Sequence, residues 1–258
     1  MDAGNLPQLD RCDAGKQWGS LVPRSCVANL WNQGRPHGLS SVGRGRKALQ
    51  AALMEGPALS IVESIKKAAE KLTGIARPGT SRLADLVRQR KANAFRFKDD
   101  GLVPNHPSWP LIVYRGAVTL PDDLDPAAVF EELFKANGWG GSWRNGIYDY
   151  VHYHSRIHEV LGIARGTAKV RFGGDKGRAL TVKAGDVAVL PAGTGHQRLS
   201  ASDDFLVVGA YPPSGTYDEC TKPEQHAEAL RMIPKVSRPR NDPVYGRDGP
   251  LLKAWGER

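Results

Sequence analysis

Short apolar runs broken by turn residues dominate this chain from Phe95 onward. Runs at 94–97 (AFRF) and 111–114 (LIVY) predict strands. Further strands are predicted over 147–154, 158–165, 167–172, 179–183, 186–190, 196–200 and 204–211. Gly173-Gly174-Asp175 and Ala184-Gly185-Asp186 punctuate them as turns. Many short strands without intervening helices predict a mainly β sandwich or barrel.

Helical spacing occurs in few places. In 59–73, Ile61, Ile65, Ala68, Ala69 and Leu72 recur on one face, and Gly74 supplies a stop. A second short helix is predicted over 81–91, opened by Thr80 or Ser81. A third spans 126–136, with Asp125 as cap, Pro126 in the first turn, and an apolar stripe of Val129, Leu133 and Phe134. Gly138 ends it, and the Gly-rich stretch GWGGSWRNG, with Trp139 and Trp143, is expected to be a loop able to lid a barrel mouth, with packing of the two Trp on the barrel's outside the alternative. A last helix is predicted over 223–232, followed by an extended, Pro-rich tail. Residues 1–53 show no sustained period and read as a disordered extension, or as an overcalled start with Met54 the alternative. The expected organisation is therefore 1–53 extension, 54–92 helical segment, 93–217 barrel, and 218–258 C-terminal helix and tail.

Composition narrows the function classes. The chain has 258 residues, with 29 Gly and 18 Pro suiting a turn-rich β protein. Its net charge of +9 is uneven. Residues 1–110 hold 17 Lys/Arg against 9 Asp/Glu, whereas 111–258 hold 19 against 18. The barrel is thus nearly neutral, poor material for contacting phosphates, and no nucleic-acid partner is expected. The cysteines, Cys12, Cys26 and Cys220, form no C-x-x-C pair. A reducing, cytoplasmic setting is the expectation. No apolar run approaches the roughly 18–20 residues a membrane span needs, and the N-terminus lacks an apolar leader core.

Two spaced constellations carry chemistry. The first is Gly146-x5-His152-x-His154-x4-Glu159-x6-Gly166, and the second is Gly185-x5-Pro191-x-Gly193-x2-His196. Alternate strand residues share a face, so His152 and His154 can point at one ion. Glu159 differs from them in parity and converges only if residues 155–157 turn the chain. Three neutral imidazoles and a carboxylate suit Mn, Fe, Co, Ni or Zn, and four protein ligands leave one or two exchangeable positions on a six-coordinate ion.

Both constellations resemble the two motifs of the cupin superfamily. The departure is Ser200, where Asn is common, at a position that is not a ligand. The stretch from 93–101 (NAFRFKDDG) through the first motif to 205–213 (FLVVGAYPP) resembles the small single-barrel cupins of the YjlB type. The resemblance implies a double-stranded β-helix, or jelly-roll barrel, over about 94–217, with short N- and C-terminal helices outside it. It also implies His152, His154, Glu159 and His196 as ligands of one divalent transition metal. It supplies no reaction.

Neighbouring residues extend the site. His158 is a candidate catalytic proton carrier or hydrogen-bond partner, although strand parity turns it away from the metal. Tyr148 and Tyr150 share parity with the histidines and are candidates for cavity wall or phenolic donors, with core packing the alternative. Arg165 and Arg198 could pair with an anionic substrate or form surface ion pairs. The expected function is a metal-dependent enzyme, an oxygenase or isomerase, acting on a small oxygen-chelating acid. The alternative is a non-catalytic metal or small-molecule sensor. A homodimer is compatible with either.

Overall fold

The computed structural model describes residues 75–256. The extension 1–53 and the helix expected over 59–73 lie outside them.

The chain opens with α1 (Thr80–Leu86), β1 (Ala92–Phe95) and β2 (Leu111–Tyr114). Next come α2 (Pro126–Ala136), β3 (Gly140–Asn145), β4 (Glu159–Arg165) and β5 (Thr167–Phe172). Then follow β6 (Arg178–Lys183), β7 (Val187–Leu190), β8 (His196–Ala201) and β9 (Leu206–Tyr211). Two short helices end the fold, α3 (His226–Met232) and α4 (Pro250–Ala254). Six strands form one antiparallel sheet in the order β1-β2-β7-β4-β9-β3, and β6-β5-β8 form a second. This is a mainly β double-stranded β-helix.

The central strands of the larger sheet are buried on both faces, which explains why β7 reads as an unbroken apolar run. Inward, Ala188, Leu190, Leu161, Ile163 and Val207 pack with Val170, Phe172 and Val182 of the smaller sheet. Outward, Val160, Val187, Val189 and Val208 pack against Phe130, Leu133 and Phe134 of α2. Each large apolar side chain so buried contributes about 1.5–3 kcal/mol. Helix α2 is built as its sequence reads. The Asp125 carboxylate accepts the Ala127 N–H at 3.0 Å, Pro126 takes the first turn, and Gly138 leaves at φ +78°.

Four expectations need correction. Helix α1 stops at Leu86, not at residue 91. Val87 is extended and bridges to Val118, and the Arg88 N–H donates to the Ala117 carbonyl, so pairing wins over helix. The GWGGSWRNG stretch holds β3, an edge strand on β9, because the Trp143 indole lies over the bare face of its cross-strand partner Gly209. Residues 147–154 form no regular strand. They touch neighbours only through isolated bridges, His152 to His196 and Tyr153 to Cys220. The Pro-rich tail is not wholly extended. It ends in α4, followed by a fully buried Trp255 whose indole N–H donates to the Pro110 carbonyl at 2.8 Å.

Among the described residues, no helix is long and apolar enough to cross a membrane.

Candidate metal centre

The site forms where the irregular segment 147–158 runs into β4. Glu159 is the first residue of β4 and shares its parity with Leu161 and Ile163, which point between the sheets. Bends at Ser155 and Arg156 make this possible, since they break the alternation that put His152 and His154 out of step with Glu159. His196 is the first residue of β8. It is held against His152 by a reciprocal pair of backbone hydrogen bonds of 3.2 and 2.9 Å. The second motif's loop closes on the first: the Gly193 N–H donates to the His154 carbonyl at 2.7 Å, with Gly193 at φ +88°. A side chain there would meet both a left-handed backbone and Ile233.

All four residues are buried. One ring nitrogen from each of His152, His154 and His196 lies within 4.8 Å of the others. Glu159 Oε2 lies 3.4 Å from the Nε2 atoms of both His154 and His196. Bonds of about 2.1 Å to one ion place adjacent ligand atoms about 3 Å apart, so small movements suffice to gather this set. Two further observations fit a cation. Glu159 Oε2 and His152 Nδ1 are buried without a hydrogen-bond partner. Orphaned buried polar atoms are costly unless something outside the chain satisfies them.

The protonation pattern is asymmetric. Burial pushes His152 below its ordinary value, and the neighbouring His154 adds to this. Burial and His152 push His196 down to about 3. Burial also opposes a charged His154, but the Glu159 carboxylate and the Asp218 carbonyl raise it to about 9. Glu159 falls to about 2 despite its burial, chiefly because His154 stands beside it. Without an ion, burial disfavours charge on His152 and His196, whereas the Glu159 carboxylate favours it on His154.

A residue that the motif reading missed orients this histidine. His154 Nδ1 donates to the backbone carbonyl of Asp218, 64 residues downstream. The Asp218 carboxylate accepts the Ser155 N–H at 2.9 Å, the Ser155 hydroxyl at 2.5 Å and the Arg156 N–H at 3.1 Å. It thereby fixes the bend between the histidines and Glu159. No local signal marks Asp218, since it joins the site only through the pairing of Tyr153 with Cys220.

The donors lie in a cavity of about 370 Å3. Its wall is aromatic and aliphatic: Trp143, Ile147, Tyr148, Leu161, Tyr211 and Tyr217. The Trp143 indole N–H donates to the Tyr211 hydroxyl at 2.9 Å, and Tyr211 lines the cavity together with Glu159. Burial and that carboxylate hold the Tyr211 phenol well above its ordinary value. Trp143, expected near the barrel mouth, lines the cavity, whereas Tyr211 and Tyr217 carry no local signal because only the fold brings β9 and the following loop to it.

The remaining candidates divide. Tyr148 lines the cavity, with its ring 5.2 Å from His152. Tyr150 stacks on Tyr148 at 4.8 Å and donates to Glu219 at 3.2 Å. His158 is fully buried outside the cavity. Its Nδ1 accepts the Ala192 N–H at 2.9 Å, its Nε2 lies 3.1 Å from the Ser237 carbonyl, and its ring packs near Trp109 and Trp255. It is a structural histidine and not a cavity proton carrier. Arg198 donates to the Ile147 carbonyl at 3.0 Å, so it supports the first motif and does not reach the donors. Arg165 borders a separate open groove of about 750 Å3, which none of the four donor residues lines.

This chain is 44% identical to the uncharacterized protein YjlB of Bacillus subtilis (strain 168) over 168 residues, covering 65% of the chain and 98% of YjlB. The chain belongs to the YjlB family. Likeness to solved structures is looser. A double-stranded β-helix protein from Klebsiella pneumoniae is 14% identical over 57% of this YjlB relative and 100% of that chain, with a TM-score of 0.26. Acireductone dioxygenase from Bacillus anthracis is 19% identical over 37% of this chain and 68% of its own, also with a TM-score of 0.26. No protein-family model matches the chain.

Proposed function

We propose that this YjlB relative is a metal-dependent enzyme that acts on a small oxygen-chelating acid, as an oxygenase or an isomerase. One divalent transition ion (Fe, Mn, Co, Ni or Zn) would be held by His152, His154, Glu159 and His196. The observation that carries this reading is the buried cluster of three imidazoles with Glu159 Oε2 left unpartnered at 3.4 Å from two of them. Such an ion supplies Lewis-acid polarisation of a bound oxygen donor, or redox chemistry.

The chain's own residues do the rest. The Asp218 carbonyl holds the His154 ring so that Nε2 faces the cavity. Trp143 fixes the Tyr211 hydroxyl at the wall of the cavity that Glu159 also lines. Apolar walls keep the donors dry, which strengthens each polar contact made there. The Tyr148 and Tyr211 hydroxyls are phenolic donors at the cavity wall, able to hydrogen-bond a substrate oxygen.

Elemental analysis of protein purified without added metal tests the site. About one ion per chain is expected, and none in a His154→Ala, His196→Ala double variant. Thermal shift with α-keto and α-hydroxy acids then tests binding. Oxygen uptake or isomer formation tests turnover. Stabilisation without turnover across a broad panel would favour a sensor.

A further inference from the structure

Three of the six exposed large hydrophobic side chains among the described residues, Tyr148, Tyr150 and Tyr217, gather at the donor cavity. Solvent-exposed aromatics clustered at a cavity edge mark a ligand-contacting surface. Tyr148 and Tyr150 stack with planes 12° apart, and Tyr217 lies 5.0 Å from the His154 ring and 5.6 Å from Tyr211. One carboxylate ties the two groups. Tyr150 and Tyr217 both donate to Glu219, each at 3.2 Å. The rings are thereby fixed at little further entropic cost on binding.

Charge decides what these rings can accept. Apart from the histidines, Arg144 is the sole cation among the residues lining the cavity. Its guanidinium is already used. Nε and Nη2 donate to Glu131 at 2.6 and 2.8 Å, and Nη1 to Asp125 at 2.8 Å. Glu219 adds a negative charge beside the tyrosines. A phosphate or second carboxylate on a ligand would meet no unpaired cation here and would face the Glu219 carboxylate, an unfavourable pairing of like charges.

We propose that the ligand carries an uncharged planar ring beyond its chelating head, and that Tyr148 and Tyr217 select for that ring. The proposal rests on the metal-site reading for the head alone. A carboxylate at the head is neutralised by the ion, whereas the tail must satisfy itself on aromatic faces. Phosphorylated and dicarboxylic substrates are excluded by the same argument.

Three α-keto acids with one head and different tails test this on the metal-loaded full chain: pyruvate, phenylpyruvate and oxaloacetate. Dissociation constants come from calorimetry or thermal shift. Phenylpyruvate is expected to bind at least about fivefold more tightly than pyruvate, and oxaloacetate no more tightly than pyruvate. In Tyr148→Leu and Tyr217→Leu variants with normal metal content and melting, phenylpyruvate affinity should fall toward that of pyruvate. Equal affinities for phenylpyruvate and pyruvate in the parent chain would overturn the ring proposal while leaving the chelating site intact. A ring preference that survives both variants, or a preference for oxaloacetate, would also overturn it. No binding by any of the three to loaded protein would overturn the chelating site together with the ring proposal.

Discussion

His158 and Glu159 are consecutive residues that serve opposite sides of one sheet. Glu159 Oε2 lies 3.4 Å from two imidazoles inside the barrel, while the His158 ring sits 4.9 Å from Trp255 and 5.5 Å from Trp109 on the other side. The side-chain period of a strand separates them. One residue carries the candidate chemistry, and the other ties the tail to the barrel through the Ala192 and Ser237 backbone.

This pair gives the first prediction. His158→Ala should lower stability by roughly 2–4 kcal/mol, through a lost buried ring and an unpaired Ala192 N–H. Metal content of the folded fraction should stay at the parent value. Glu159→Gln should sharply reduce metal content, and it should also lower melting of the metal-free chain by taking away the buried partner of His154. Denaturant melts and elemental analysis on both variants separate the two roles, and metal loss in His158→Ala would contradict the division.

Asp218 offers a second test, away from the donors. Asp218→Ala removes the carboxylate that accepts from Ser155 and Arg156. The bend that brings Glu159 under His154 should loosen, weakening metal affinity by about 10–100-fold as for other groups that orient ligands. The backbone carbonyl bond to His154 survives in either variant, and Asn keeps one acceptor oxygen for Ser155 and Arg156, so Asp218→Asn should be milder than Asp218→Ala. Competition against a chelator of known affinity measures both.

Metal uptake should depend on pH with a definite sign. In the metal-free chain His154 holds a proton up to about pH 9, and an ion needs the neutral ring. Apparent affinity should therefore rise from pH 6 toward pH 9, with about one proton released per ion near neutrality. Calorimetry in buffers of different ionisation enthalpy counts that proton. The metal-free chain should behave oppositely. The His154 value is raised by folding, so its contribution to stability is complete below about pH 6.5 and fades as pH rises through about 9. A metal affinity flat across this range would contradict the paired state of His154 and Glu159.

Removing the ion from loaded protein should lower its melting temperature by an amount that grows with the logarithm of metal concentration. The His154→Ala, His196→Ala double variant should melt at one temperature whatever metal is added. A parallel rise in the double variant would place the bound ion elsewhere.

The sequence by itself determined the strand pattern and named the candidate donors. Short apolar runs bounded by Gly and Asp marked β4 to β9 to within two residues, because both local chemistry and burial favour them. His152, His154, Glu159 and His196 were legible because the two motifs keep fixed spacings around turns that demand glycine, as at Gly166 (φ +68°) and Gly193 (φ +88°). Tertiary structure alone decided the rest. β3 exists because β9 offers Gly209 beneath Trp143, a partner more than sixty residues away. Segment 147–154 loses its strand because its pairing needs go to two different elements, His196 and Cys220. Asp218, Tyr211 and Tyr217 enter the site through the same long-range closures. Spacing along the chain fixes which faces residues share within an element. Which elements meet is set by burying both faces of the larger sheet's central strands at once, a condition that no local window of sequence contains.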